Sequence, residues 1–294
     1  MLAGAGGLRP AGAAPGRKCA RVPGLRRVPV ARGPGGQGMS AGFAQSQEAD
    51  MRHDPPVVLI TGASSAIGAA VARRYAADGW ELLLWHRSGG QLVRDLEAEL
   101  EALGARRSWT QVDFKDAPAV ERAVEPLRQA RVDALVNNAG GYEALQHFST
   151  LGHAEVMESL AVNFTAPFLL ASAVFEGMAG RGAGRMVNIS SVAAKYGGSA
   201  QSMHYGCAKR ALEGITRTLA REGASSGVLV NTVRPGVIDT GFHTRLGRDM
   251  AVRTELIPLG RMGTPEEVAE VVHFLGSFRN TYVTGQTIAV SGGE

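Results

Sequence analysis

Cysteine is almost missing from this sequence. Two occur in 294 residues, Cys19 and Cys207, far apart and with neither a C-x-x-C nor a histidine cluster beside them. That excludes a disulfide framework and a zinc site; no metal is expected, and a reducing, cytoplasmic setting fits. Long hydrophobic runs are missing too. No unbroken apolar stretch reaches the roughly 18 to 20 residues of a membrane-spanning helix, since "VVLITGASSAIGAAVA" is cut by polar and glycine positions. No membrane partner is expected.

Acidic residues are absent from the first 47 positions. Residues 1–52 carry eight basic side chains against Glu48 and Asp50, a net +6, so the formal +4 of the whole chain leaves −2 for the remainder. The body is therefore no polyanion binder, and no nucleic-acid partner is expected. The basic stretch is Gly/Ala/Pro/Arg-rich and lacks helical or strand periodicity, so residues 1–54 are expected to be a disordered tail. It has no apolar h-region for secretion. A transit segment stays open, and the favoured alternative is a natural start at Met39 or Met51.

From Pro55 short aliphatic runs alternate with amphipathic segments, the signature of repeated βαβ units. "PVVLIT" (56–61), "ELLLWH" (81–86), "RRSWTQVDF", "VDALVNNAG", "GRMVNISS", "VLVNTVRPG" and "TIAVSGG" read as seven strands with helices between them. Among the helices are a long one around "AEVMESLAVNFTAPFLLASAVFEGM" and one from about His204 to Gly223. The expectation is one α/β domain, residues 55–294, with a doubly wound parallel seven-stranded sheet of Rossmann type.

"TGASSAIG" (61–68) follows a strand and opens a helix, as a phosphate-binding turn must. Gly62 takes the tight turn, Gly68 lets the helix pack on the strand, and first-turn N–H groups face a diphosphate. Position 66 is alanine where a glycine is usual, which the turn admits if its φ is negative. A free ribose 2′-hydroxyl is normally held by an acid about 20 residues past the first glycines, yet "LLWHRSGG" contains none. Arg87, with His86 and Ser88, suits a 2′-phosphate instead, so NADP(H) is expected.

In "YGCAK" (205–209) Tyr205 and Lys209 are four apart and share one helical face. A phenol titrates near 10, too high for acid–base work at neutral pH, and an adjacent ammonium is expected to lower it. Cys207 faces away from both and reads as a packing residue.

"TGASSAIG", "NNAG" (137–140), "AVNFTAPF", "NISS" (188–191), "YGCAK", "RPGVIDTGF" and "GQTIAVSGG", in that order, resemble the short-chain dehydrogenases/reductases over about residues 56–294. The flavour is closest to the 3-oxoacyl carrier-protein reductases, and "HRSGG" is similar to pteridine reductases. The resemblance implies a catalytic set of Ser191, Tyr205, Lys209 and Asn163, with Ser190 an open alternative to Ser191 because the stretch to Tyr205 is one residue longer than usual. It also implies cofactor contacts from Thr61, Gly62, Ser64, Ser65, Ile67 and Gly68. Further contacts are implied from His86, Arg87, Ser88, Asp113, Asn138, Ala139, Gly140, Tyr205, Lys209, Pro235, Gly236, Ile238 and Thr240. The substrate would be a small carbonyl or alcohol, a 3-oxoacyl thioester or other small ketone first, a pterin or quinone as alternatives. Homodimers or homotetramers are implied, and a catalytically silent NADP-binding sensor or scaffold remains the rival.

Overall fold

Alternation along the first strand sets the two sides of the core in this computed structural model, which describes residues 54–294; the expectations for the tail lie outside the described residues. β1 (Val57–Thr61) is buried throughout. Successive side chains point to opposite faces, so Val58 and Ile60 join one apolar cluster while Leu59 joins the other. A strand covered on both faces belongs inside a parallel sheet.

The other strands are β2 (Glu81–His86), β3 (Arg107–Gln111), β4 (Ala134–Asn137), β5 (Gly184–Ile189), β6 (Val228–Pro235) and β7 (Thr287–Val290). They run parallel in the order β3-β2-β1-β4-β5-β6-β7. The order reverses between β1 and β4, and beyond the carboxyl ends of those strands lies the crevice where such sheets bind ligands.

On one face pack α1 (Ala66–Ala77) and α2 (Gln91–Ala102), on the other α3 (Ala117–Val124). Ser65 caps α1 by accepting from Gly68 N at 3.1 Å, and Asp116 caps α3 by accepting from Ala119 N at 3.1 Å. The expected long helix is three pieces in one continuous run. These are α4 (His153–Leu160), a π-helical turn (Ala161–Thr165) and α5 (Ala166–Gly180). This 28-residue run is long and apolar enough to cross a membrane by length and composition alone, a test that the core helix of a globular domain also passes. In the fold, its Leu170, Val174 and Met178 pack into the core instead.

Short helices add to these elements. α6 (Val192–Tyr196) is started by the Ser191 cap and stopped by Gly197 at φ 80°. It leads into α7 (Met203–Gly223). The stretch after β6 contains α8 (Phe242–Arg245) and α9 (Met250–Glu255), before α10 (Pro265–Gly276) returns to the first face beside α1. Thr264 and Glu267 cap α10 reciprocally, with Pro265 in its first turn.

Candidate active site

The turn after β1 is held from across the switch point. Thr61 Oγ1 accepts from the backbone N–H groups of Asn138 and Ala139, each at 3.0 Å. The Asn138 amide donates back to Thr61 O (2.9 Å), Gly62 O (3.0 Å) and Ser65 Oγ (3.1 Å). Gly62 sits at φ 64°, and a Cβ on Gly68 would lie 2.2 Å from Gly62 O, so neither position admits a side chain. Ala66 is the first residue of α1, with the helical, negative φ that the extra methyl needs. The first-turn N–H groups of Ala66 and Ile67 have no intrahelical partner and open beside half-buried Ser64. This is a backbone cradle that fits a diphosphate.

At the tip of β2, Arg87 and Ser88 are exposed and His86 lies edge-on to Trp109. Arg87 Nη1 donates to Glu143 Oε1 at 3.0 Å, and Lys115 Nζ donates to the same oxygen at 3.1 Å. The two cations hold the Glu143 carboxyl below the usual range, Lys115 most strongly. Asp113 accepts from Lys115 N at 3.0 Å. With Asp116 as the α3 cap, Asp113 is not spent on the helix.

On the far side of the switch point Asn163, Lys209, Tyr205 and Ser191 come together. Asn163 is fully buried within the π-turn; it accepts from Gly141 N (2.8 Å) and donates to Gly141 O (2.9 Å) and Ser159 O (3.0 Å). Gly140 lies against it: a Cβ there would come within 2.5 Å of Lys209 Nζ and 2.8 Å of Asn163 Oδ1. Lys209 Nζ donates to Ile189 O at 2.8 Å and stands 5.8 Å from the Tyr205 ring centroid.

The two adjacent serines part company. Ser190 is buried and donates to Glu213 Oε1 at 2.8 Å, and Glu213 is clamped in turn by Arg234 at 2.7 Å. Ser191 Oγ accepts from Ala193 N at 3.1 Å, capping α6, and lies close enough to the Tyr205 phenol to act on it.

Burial pushes Tyr205 up to about 12, against an opposing pull from nearby Ser191, and pushes Lys209 down to about 7. The expected lowering of the phenol by its neighbour is therefore corrected. A lysine so desolvated is only about half charged near neutrality, and desolvation governs both groups. Cys207 is also corrected: it is exposed rather than packed.

Beyond β6, Gly236 abuts Ser291, where a Cβ would come within 2.8 Å of its Cα. Pro235 ends the strand, buried Ile238 bridges to Gly263, and Thr240 Oγ1 reaches Phe242 N at 3.4 Å. Tyr142 stacks at a tilt 4.9 Å from Tyr205, with Phe242 edge-on to it at 5.3 Å. Phe148 and Tyr196 are exposed.

Sequence reasoning missed Glu213, Glu143 and Arg248. Glu213 had a signal, lying one helical turn past Lys209 on the same face. The other two act across the fold and had none.

Set beside known proteins, residues 62–294 match the family model described as enoyl-(acyl carrier protein) reductase. The 3-oxoacyl-[acyl-carrier-protein] reductase FabG of Vibrio cholerae is 34% identical over 250 residues, 83% of this chain and 98% of that one. A putative NAD(P)-dependent gluconate 5-dehydrogenase from Beutenbergia cavernae, solved with NADP, superposes with a TM-score of 0.75. It is 35% identical, over 81% of this chain and 96% of that one. A blue fluorescent protein from a metagenomic library, solved with NADPH, gives a TM-score of 0.74 at 34% identity, over 81% and 97%. A crevice of this kind beside a half-buried tyrosine and a buried lysine is the ground plan of a dinucleotide-dependent oxidoreductase. The chain belongs to the short-chain dehydrogenase/reductase family.

Proposed function

We propose that this enzyme reduces the ketone of a 3-oxoacyl thioester, or of a similarly small carbonyl substrate, with NADPH. The observation that carries this reading is the convergence of Ser191, Tyr205, Lys209 and Asn163 on one side of Gly140, with the glycine cradle on the other. The 3-oxoacyl reductases among its relatives, and the neighbours solved with NADP or NADPH, support both the substrate class and the cofactor.

The backbone at Gly62, Ser64, Ser65, Ile67 and Gly68, with Thr61 behind it, holds the diphosphate. Arg87, aided by His86 and Ser88, takes the 2′-phosphate in place of Glu143. Asp113 meets the adenine, Asn138, Ala139 and Gly140 border the ribose, and Pro235, Gly236, Ile238 and Thr240 flank the nicotinamide. Bound NADPH supplies the hydride. Ser191 donates a hydrogen bond to the substrate oxygen, and Tyr205 gives that oxygen its proton. Lys209 orients the bound ribose and keeps the Tyr205 proton supplied, and Asn163 fixes the Gly141 backbone beside it.

An apolar groove between the π-turn and α7, lined by Phe164, Phe168, Ala211, Gly214, Ile215 and Leu219, is the face through which two copies pair in this reading. Light scattering on the eluting protein checks it, and a monomer would count against it. A cytoplasmic location belongs to the same reading, in keeping with the free, exposed Cys207 thiol.

The test of function is NADPH consumption on a panel of 3-oxoacyl thioesters, diketones, quinones and pterins. Tyr205→Phe is expected to lower kcat by about 10²- to 10⁴-fold. Tight NADPH binding with no turnover on any member would overturn the reading.

A further inference from the structure

Arg248 has no part in the chemistry assigned above, and its surroundings are unusual for a half-buried guanidinium. It stands between α8 and α9. Its Nη2 donates to Tyr142 Oη at 2.8 Å and its Nη1 to His243 Nδ1 at 3.4 Å. An arginine is always protonated, so His243 accepts through Nδ1 and carries its proton on Nε2. Both partners are uncharged at neutral pH. Burial raises the Tyr142 phenol, and burial together with the charges of Arg248 and Arg253 pushes His243 down to about 4.

Among the described residues no carboxylate pairs with Arg248. The acids of the adjoining segments are engaged elsewhere. Asp249 caps α9 through Ala251 N at 2.9 Å, and Glu294 Oε1 accepts from Arg253 at 2.8 Å, although the Glu294 charge also reaches His243. A guanidinium has five N–H donors in a planar fork, and Tyr142 and His243 use two of them. Partial burial of a cation with no counter-charge is costly unless a ligand brings one.

The position of this cation matters as much as its charge. Tyr142 lies between Arg248 and the reacting group, its ring 4.9 Å from that of Tyr205. Arg248 is near enough for its charge to act on the Tyr205 phenol.

We propose that Arg248 anchors the substrate, and that the preferred substrate bears a carboxylate close to the ketone that Tyr205 protonates. The inference rests on Tyr205 as the proton donor and, of the substrates proposed above, selects the small carbonyl compound over the thioester, as an oxo acid. The open donors of the fork suit a carboxylate in two-point contact. Tyr142 and His243, being neutral, hold the guanidinium plane without competing for its charge.

The experiment compares oxo acids having one to three carbons between ketone and carboxylate with their methyl esters, in wild type, Arg248→Gln and Arg248→Lys. A charge-assisted pair predicts an acid-over-ester preference in kcat/KM of about ten- to a hundredfold in the wild type. Arg248→Gln should erase it, mainly through KM, and Arg248→Lys should keep part of it. Equal turnover of acid and ester by the wild type, or equal loss of both in Arg248→Gln, would overturn the proposal. So would a preference for ketones bearing a phosphate monoester over both.

A second readout separates this idea from the catalytic reading. The same acids should raise the Tm of the NADP⁺-saturated wild type and not that of Arg248→Gln, whether or not they are turned over. Such a shift without turnover sustains the anchor while sinking the catalytic assignment, and no difference between the two proteins sinks the anchor.

Discussion

Around the Gly62–Gly68 turn the polar atoms are engaged with one another, whereas around Tyr205 charged groups stand desolvated with few partners. Thr61, Asn138 and Ser65 exchange hydrogen bonds at 2.9 to 3.1 Å until the cradle is a rigid backbone surface. Lys209 has a single carbonyl at 2.8 Å, and Arg248 has only neutral hydrogen-bond partners. The first arrangement suits a region that must hold one shape. The second keeps pKa values displaced, which a group that moves protons requires. Glu213 shows that the second region is not merely underpacked. A few residues along α7 from Lys209, it is held by Arg234, Arg210 and Ser190, as a purely structural carboxylate should be.

The largest expected effect comes from emptying the second region of its function. Lys209→Met should cut kcat by about a thousandfold while the protein stays folded, as checked by stopped-flow NADPH oxidation alongside circular dichroism. A loss below tenfold would make Lys209 an ordinary core residue and dissolve the contrast.

Next in size is damage to the cradle. Gly68→Ala pushes a methyl group into Gly62 O, and is expected to cost about 1–3 kcal/mol of stability. NADPH affinity should fall at least tenfold, read by fluorescence titration. Normal affinity would mean that the turn is less rigid than its hydrogen bonds imply.

The pH response tests the displaced lysine. Its folded value, about 7, lies below the ordinary 10.5, so between those limits the unfolded chain binds more protons. Stability should therefore rise with pH from about 7 towards 10.5, and this gain is lost as pH falls back through 7. Urea midpoints measured across that window should climb in the wild type and climb less in Lys209→Met.

The smallest effects lie at the tip of β2. Arg87→Ala should weaken NADPH about ten- to a hundredfold and leave NADH little changed. Glu143→Gln, which removes the carboxylate from Arg87, should tighten NADPH by no more than about fivefold. Equilibrium titrations with both cofactors read the two together.

Legibility from sequence followed the range of the interaction. Tyr205 and Lys209 could be placed on one face because i,i+4 spacing is local geometry, and the glycine turn because a strand running into a helix leaves few conformations for it. Ser190 and Ser191 could not be separated, since Glu213 decides between them from another element, 23 residues away from Ser190. Arg248 meets Tyr142 across 106 positions, and nothing in either neighbourhood announces the other. α6 escaped because five residues are too few to show a period, leaving only its Ser191 cap and Gly197 stop as marks.

The π-turn at Ala161–Thr165 has a consequence for the long helix as a whole. One extra residue per turn advances everything downstream by roughly 100° relative to an uninterrupted α-helix. Within that step the helix keeps time with the reaction centre, through Asn163 and the Gly141 backbone; downstream, Phe168 keeps time with the outer apolar groove. The two ends are gears cut on one shaft and offset by a single tooth. Removing one residue from the turn would give a more regular helix, yet only one of the two surfaces could stay in mesh.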